Sequence, residues 1–259
     1  MLVLLPPSET KRSGGEAVPL DWDTLAYSSL GPARRKLSRA LVSLSRHPDA
    51  AMTALKLGRT QSAEVDRNRV LLASETMPAL DRYTGVVYDA VDAASLSQAE
   101  RQFAHEHVAI HSALFGPVAA LDAIPAYRLS HDSRVPELAL KTHWALPVTA
   151  VLKKTPGLVL DLRSEAYVAL GAAPARAESV FLRVVTDVDG RTRALNHFNK
   201  KSKGQFVRAL LQNGQSFASV DELTGWARSI GVTLRPGAAG ELELVVDASV
   251  PAPLFTIFS

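Results

Sequence analysis

Two short runs carry side chains with chemistry to offer. Ser8-Glu9-Thr10-Lys11 has S-x-x-K spacing, in which a lysine amine can take a proton from a serine hydroxyl. The companion motifs of that hydrolase class are missing, so the favoured reading makes Ser8 and Lys11 anion contacts. The second run is Asn196-His197-Phe198-Asn199-Lys200-Lys201-Ser202-Lys203-Gly204. A strand that enters a basic turn and opens a helix adds backbone N–H groups and the helix dipole to the lysine charges. The spacing is not that of a P-loop, and no nucleotide hydrolysis follows from it.

Charge placement sharpens the second run. The 259 residues carry 29 Lys/Arg against 26 Asp/Glu, a net +3. Residues 1–130 balance at 14 and 14, whereas Gly190–Val220 holds Arg191, Arg193, Lys200, Lys201, Lys203 and Arg208 with no acid. That is an expected anion site, with a solvated basic face as the competing reading. His107 and His111 fall at i, i+4 within an expected helix and, with His105, raise a metal site. The H-e-x-x-H pattern is absent, however, and no third ligand is evident, so no metal is expected. Ala113–Leu121, with Gly116-Pro117, loosely fits a helix-hairpin-helix turn that would offer N–H groups to a DNA phosphate; a plain inter-helix turn is the alternative. Tyr83, Tyr88 and Tyr127, beside Gly or Pro and next to Arg128, are expected to line a cleft or to anchor loops.

These side chains need a scaffold. Met1–Leu5 reads as a buried strand stopped by Pro6-Pro7, and the carboxyl end of a strand is where α/β folds place ligands. Helical spacing predicts helices over Arg34–Ser45, Asp49–Leu57 and Glu64–Leu72, and from Ser97, as N-cap with Glu100 in a capping box, to about Ile110. Tyr83–Tyr88 reads as strand-like or irregular, and Leu138–Leu152 as a helix containing Pro147. Strands are expected at Leu158–Leu162, Ser179–Thr186, returning through Asp187–Gly190 to Thr192–Phe198, and at Gly240–Val246. Helices are expected at Ser202–Leu211 and from a Ser219 cap to Ser229. The sum is an α/β or α+β fold, one compact mixed domain over residues 1–250 around a central sheet, with a tail at 251–259. The chain has no cysteine, which excludes a disulfide scaffold, thiolate-held metal and a thiol nucleophile. With no apolar run long enough to span a membrane and no signal-peptide pattern, a cytoplasmic protein is expected.

Several blocks together resemble the YaaA family (peroxide stress protein YaaA). They are Met1–Lys11 ending in P-P-S-E-T-K, Tyr83–Ala90, Ser112–Leu129, Asp161–Tyr167, and His197–Lys201 with Lys203-Gly204, in the family's order. The resemblance implies a single α/β domain with a positively charged cleft and a helix-hairpin-helix-like element. It also implies DNA binding and a cytoplasmic role in limiting iron-dependent damage by peroxide. By position it marks Ser8, Lys11, Tyr83, Tyr88, Arg128, Ser164, Glu165, Tyr167, Lys200, Lys201 and Lys203 as cleft residues.

Two functions of different class follow. In the first, duplex DNA is held through its phosphates by Lys11, Arg128, Lys200, Lys201, Lys203 and the Gly204 turn, with little sequence preference. In the second, an enzyme acts on a small anionic, nucleotide- or phosphate-containing substrate where Ser8, Tyr83, Ser164, Glu165 and His197 converge with the lysines. Glu165 would serve there as general base and Tyr167 as proton donor. A third reading, iron held by His105, His107 and His111, is the least favoured. No cofactor is expected, and enzymatic activity is left undecided between the first two.

Overall fold

The computed structural model describes residues 1–16, 18–188, 191–194 and 199–246. In chain order the elements are β1 (Leu2–Leu5), α1 (Gly31–Leu44), α2 (Pro48–Ala54), α3 (Ala63–Arg69), β2 (Thr76–Pro78), α4 (Ala79–Arg82), α5 (Val86–Val91), α6 (Gln98–His107), β3 (Val108–Ser112), β4 (Gly116–Ala119), β5 (Ala123–Pro125), α7 (Leu140–Lys153), β6 (Val159–Asp161), α8 (Glu165–Val168), β7 (Ser179–Val188), β8 (Arg191–Ala194), α9 (Asn199–Asn213), α10 (Val220–Ser229), β9 (Thr233–Pro236) and β10 (Glu241–Val245). This is a mixed α/β domain built on one large sheet, as the alternation of patterns predicts.

Seven strands of that sheet run in the order β4-β3-β1-β6-β7-β10-β9, and β8 pairs with the far half of β7. β3, β1, β6, β7 and β10 are mutually parallel, while β4, β8 and β9 are antiparallel to their neighbours. The parallel centre explains the composition of its strands: every residue of β1, β3 and β6 is buried, as expected for strands covered on both faces. From β1 the chain passes through helices to β3 on one side, and later returns to β6 on the other. The order therefore reverses between β1 and β6, and their carboxyl ends open a crevice.

Local signals set most boundaries. Ser97 Oγ accepts from the Glu100 N–H at 3.3 Å while the Glu100 carboxylate accepts from the Ser97 N–H at 2.6 Å, the reciprocal cap that starts α6. Ser219 Oγ accepts from the Glu222 N–H at 3.1 Å and opens α10. Proline ends β1, since Pro6 and Pro7 bring no N–H to the ladder.

Four expectations need correction. The helix from Ser97 stops at His107; Val108–Ser112 is strand β3, because the apolar run buries itself against β1 rather than continuing the helix. His107 and His111 therefore share no helix face. Ala113–Leu121 is not a helix-hairpin-helix: residues 113–115 turn, Gly116 takes the left-handed φ of 65°, and β4 folds back antiparallel on β3. Tolerating Pro117 is the privilege of this edge strand. Tyr83–Tyr88 is neither strand nor irregular throughout; after one isolated bridge between Tyr83 and Lys11, helix α5 begins at Val86. Of the expected turn Asp187–Gly190, Asp187 and Val188 belong to strand β7, and residues 189–190 lie outside the described residues. Leu195–Phe198, in the expected return strand, and the tail at 251–259 lie outside the described residues.

Candidate functional site

A cavity of about 540 Å³ occupies the crevice at the carboxyl ends of β1 and β6. Its first wall is the loop that Pro6-Pro7 throws off the sheet, carrying Ser8, Glu9 and Thr10. Its second is Leu162 and Ser164 after β6, with Tyr167 from α8. The first turn of α9, with Asn199, Lys200 and Lys203, closes it opposite the start of α5, with Gly85 to Tyr88. Gly85 at φ 96° permits the turn into α5 and leaves room for Ser8, whose Oγ would lie 3.4 Å from an added Cβ.

The first wall is tied by its own polar groups. Thr84 Oγ1 donates to Thr10 Oγ1 at 2.9 Å, and Ser8 Oγ lies 3.2 Å from the same atom. Tyr88 Oη donates to the Pro6 carbonyl at 2.7 Å. Behind the loop, buried Lys11 donates to the Ser8 and Glu9 carbonyls at 2.9 and 3.2 Å. Its amine lies 4.0 Å from the Tyr127 ring centre and 5.2 Å from that of Tyr83. Burial, reinforced by the charge of Arg128, pulls the Lys11 pKa down to about 7.

Below lies a chain of hydroxyls. Ser112 Oγ accepts from the Leu114 and Phe115 N–H groups at 3.0 and 2.9 Å, so its proton points to Tyr127 Oη at 2.7 Å. Tyr127 then donates to Tyr83 Oη at 2.8 Å. Burial raises the pKa of all four tyrosines of the region, Tyr83, Tyr88, Tyr127 and Tyr167, and keeps their phenols protonated. These phenols are donors, with no role as bases.

The second wall rests on a buried ion pair. Arg163 Nε and Nη2 donate to the Asp161 carboxylate at 2.8 and 2.6 Å, and Nη1 donates to the Gly171 carbonyl at 2.8 Å and to His111 Nδ1 at 2.6 Å. A guanidinium only donates, so His111 is the tautomer protonated at Nε2, and that nitrogen is buried without a partner. Burial and the Arg163 charge hold the imidazole well below its ordinary pKa, hence neutral.

Of the residues expected from sequence, Ser8, Tyr88, Ser164, Tyr167, Lys200 and Lys203 line the cavity. The others do not meet there. Glu165 is not part of the lining: its side chain is 79% exposed and lies 3.4 Å from Arg183. Arg128 is buried and paired with Glu9 at 2.7 Å, so it presents no free charge to a phosphate. Lys11, Tyr83 and Tyr127 sit behind the wall. Lys201 is exposed beyond the lining, and Gly204 is a packing residue, where an added Cβ would lie 2.3 Å from the Val87 carbonyl of α5. His197 is outside the described residues.

The three histidines are also apart. His107 Nδ1 lies 3.0 Å from the Met1 carbonyl and His111 is bound to Arg163; among the described residues no three His, Cys, Asp or Glu side chains gather as metal ligands. Sequence reasoning missed Glu9 as a wall residue and the Arg163 support, and it named Asn199 only as part of the basic run, with no role of its own. Asn199 Oδ1 is buried with no partner and borders the cavity; its position as first residue of a helix after a strand was the available signal. No helix among the described residues is long and apolar enough to cross a membrane.

The chain is similar in sequence to several known proteins. A UPF0246 protein of Corynebacterium glutamicum (strain R) is 37% identical over 257 residues, covering 95% of this chain and 100% of the relative. One from Streptomyces coelicolor is 39% identical over 240 residues, covering 89% and 90%. One from Streptococcus pneumoniae (strain P1031) is 29% identical over 163 residues, covering 61% and 67%. The family profile described as peroxide stress protein YaaA matches residues 1–232, and the chain belongs to that family.

Proposed function

We propose that this family member binds a small anionic molecule, a nucleotide or other phosphate-bearing compound, in the cavity between β1 and β6. The supporting observation is the cavity itself: a concave site of about 540 Å³ at the topological switch point, with hydroxyls on one wall and Lys200 and Lys203 on the other. That volume suits a small ligand and is far narrower than a duplex. Lys200 has no carboxylate partner among the described residues, and its exposed amine stands at the mouth to meet an incoming anion. Ser8, Thr10, Ser164 and the orphaned Asn199 oxygen supply orienting hydrogen bonds.

Duplex DNA is the second reading, favoured by Lys200 and Lys201 standing exposed side by side at the start of α9. It would use the phosphate backbone and weaken steeply with salt. In either case we place the protein in the cytoplasm, where a cysteine-free chain has no thiol to lose to oxidation. The part proposed for it in limiting iron-dependent damage has the family's peroxide-stress description as its support.

Thermal denaturation with pyrophosphate, ADP and a blunt duplex, at low and high salt, separates the readings, since a ligand of the folded state raises Tm. The cavity reading expects saturable stabilisation by the small phosphates, reduced by Lys200→Ala. Stabilisation by the duplex alone, lost in the Lys200→Ala/Lys201→Ala pair, would replace it with the DNA reading.

A further inference from the structure

We propose that Lys203 is a nucleophile: its amine forms an imine with a small aldehyde or ketone that also carries the anionic group held by the cavity. The inference rests on the cavity reading and adds the class of ligand. Lys203 is the fifth residue of α9, lines the cavity and is only 6% exposed. Among the described residues its Nζ donates only to the Leu162 carbonyl, at 3.0 Å, and sits 5.1 Å from the centre of the Phe181 ring. Among the described residues no carboxylate pairs with it. The neighbouring Asp161 carboxylate is spent on Arg163.

An amine in that setting gives up its proton more readily than a free lysine. Burial lowers the Lys203 pKa to about 8; Asp161 opposes the shift and Arg183 adds to it. A neutral lysine keeps two N–H bonds and a lone pair. One N–H serves Leu162, and the lone pair is left for an electrophile in the adjoining space. Lys11 is the internal contrast, since both of its remaining N–H bonds are taken by the Ser8 and Glu9 carbonyls and tyrosine rings enclose it.

The step balances without oxidant or metal. The Lys203 lone pair forms a C–N bond to the carbonyl carbon, giving a carbinolamine. The carbonyl oxygen then leaves as water with the two amine hydrogens, and a C=N bond remains. Tyr167 and Ser164, both on the lining, are hydroxyl donors for the departing oxygen. Lys200 at the mouth holds the phosphate or carboxylate.

Pyridoxal 5′-phosphate, an aldehyde bearing a phosphate, is a suitable probe. The full chain is incubated with it near pH 8, reduced with borohydride, digested and mapped by mass spectrometry. The same samples are also melted with and without pyrophosphate. The proposal expects Lys203 to be labelled about tenfold faster than exposed Lys200 or Lys201. Pyrophosphate should slow that labelling, and Lys203→Met and Lys203→Arg should abolish it while melting cooperatively. Labels spread over exposed lysines, with Lys203 unmodified, overturn it. If pyrophosphate still raises Tm in that case, the anion-binding reading stands and only the imine fails. If pyrophosphate leaves Tm unmoved, the cavity reading falls with it.

Discussion

The two walls of the cavity each bury a lysine, and the two lysines have opposite surroundings. Behind the Pro6–Thr10 loop, Lys11 has two carbonyl acceptors and two aromatic rings around one amine. On the α9 side, Lys203 has a single carbonyl acceptor among the described residues. Burial disfavours charge on both. What separates them is the use of the neutral amine: one fastens a loop, while the other keeps its lone pair unspent beside open space. Buried lysine by itself therefore says little, and the tally of its partners says which kind it is.

The largest effect should come from the support under the second wall. Arg163→Met leaves the Asp161 carboxylate buried and unpaired, and is expected to cost about 3–5 kcal/mol in urea unfolding. Lys11→Met strands the Ser8 and Glu9 carbonyls and should cost about 1–3 kcal/mol, with the loop losing hydrogen-exchange protection. Lys203→Met strands only one carbonyl, so its cost should be about 1 kcal/mol while imine formation disappears. Equal costs for the two lysine variants would erase the comparison.

The pH dependence sharpens it. With its folded pKa near 7 and the ordinary lysine value at 10.5, Lys11 binds more protons in the unfolded chain between those limits. Its contribution to stability is therefore full above about pH 10.5 and is lost as pH falls through about 7. Relative to wild type, Lys11→Met should flatten the rise in unfolding free energy over that window. The smallest effect belongs to Glu165→Gln, which should leave pyrophosphate affinity and its pH profile unchanged, because that side chain faces solvent beside Arg183.

Much of this arrangement was legible in the residues. The caps at Ser97 and Ser219, the prolines after β1, the alternation in β7 and the helical spacing of α9 all announce themselves through short-range chemistry. Val108–Ser112 misleads because a short apolar run suits a buried strand and a helix end equally, and only pairing with β1 decides. Gly204 looked like part of an anion-binding turn, whereas the close approach of α5 requires it, a contact between segments more than a hundred residues apart. Arg128 and Glu165 were expected in the cleft from position alone, and their pairing with Glu9 and Arg183 is a tertiary fact. Local sequence marks where polar groups gather; long-range partners decide which of them stay free.

The central claim, that the crevice between β1 and β6 is a binding site for a small anion, is tested most directly by isothermal titration of pyrophosphate into the full chain. The account predicts one saturable site per chain, weakened about tenfold by Lys200→Ala and abolished by Ser164→Trp, which fills the crevice from the wall. No saturable heat, or binding indifferent to both substitutions, would contradict it.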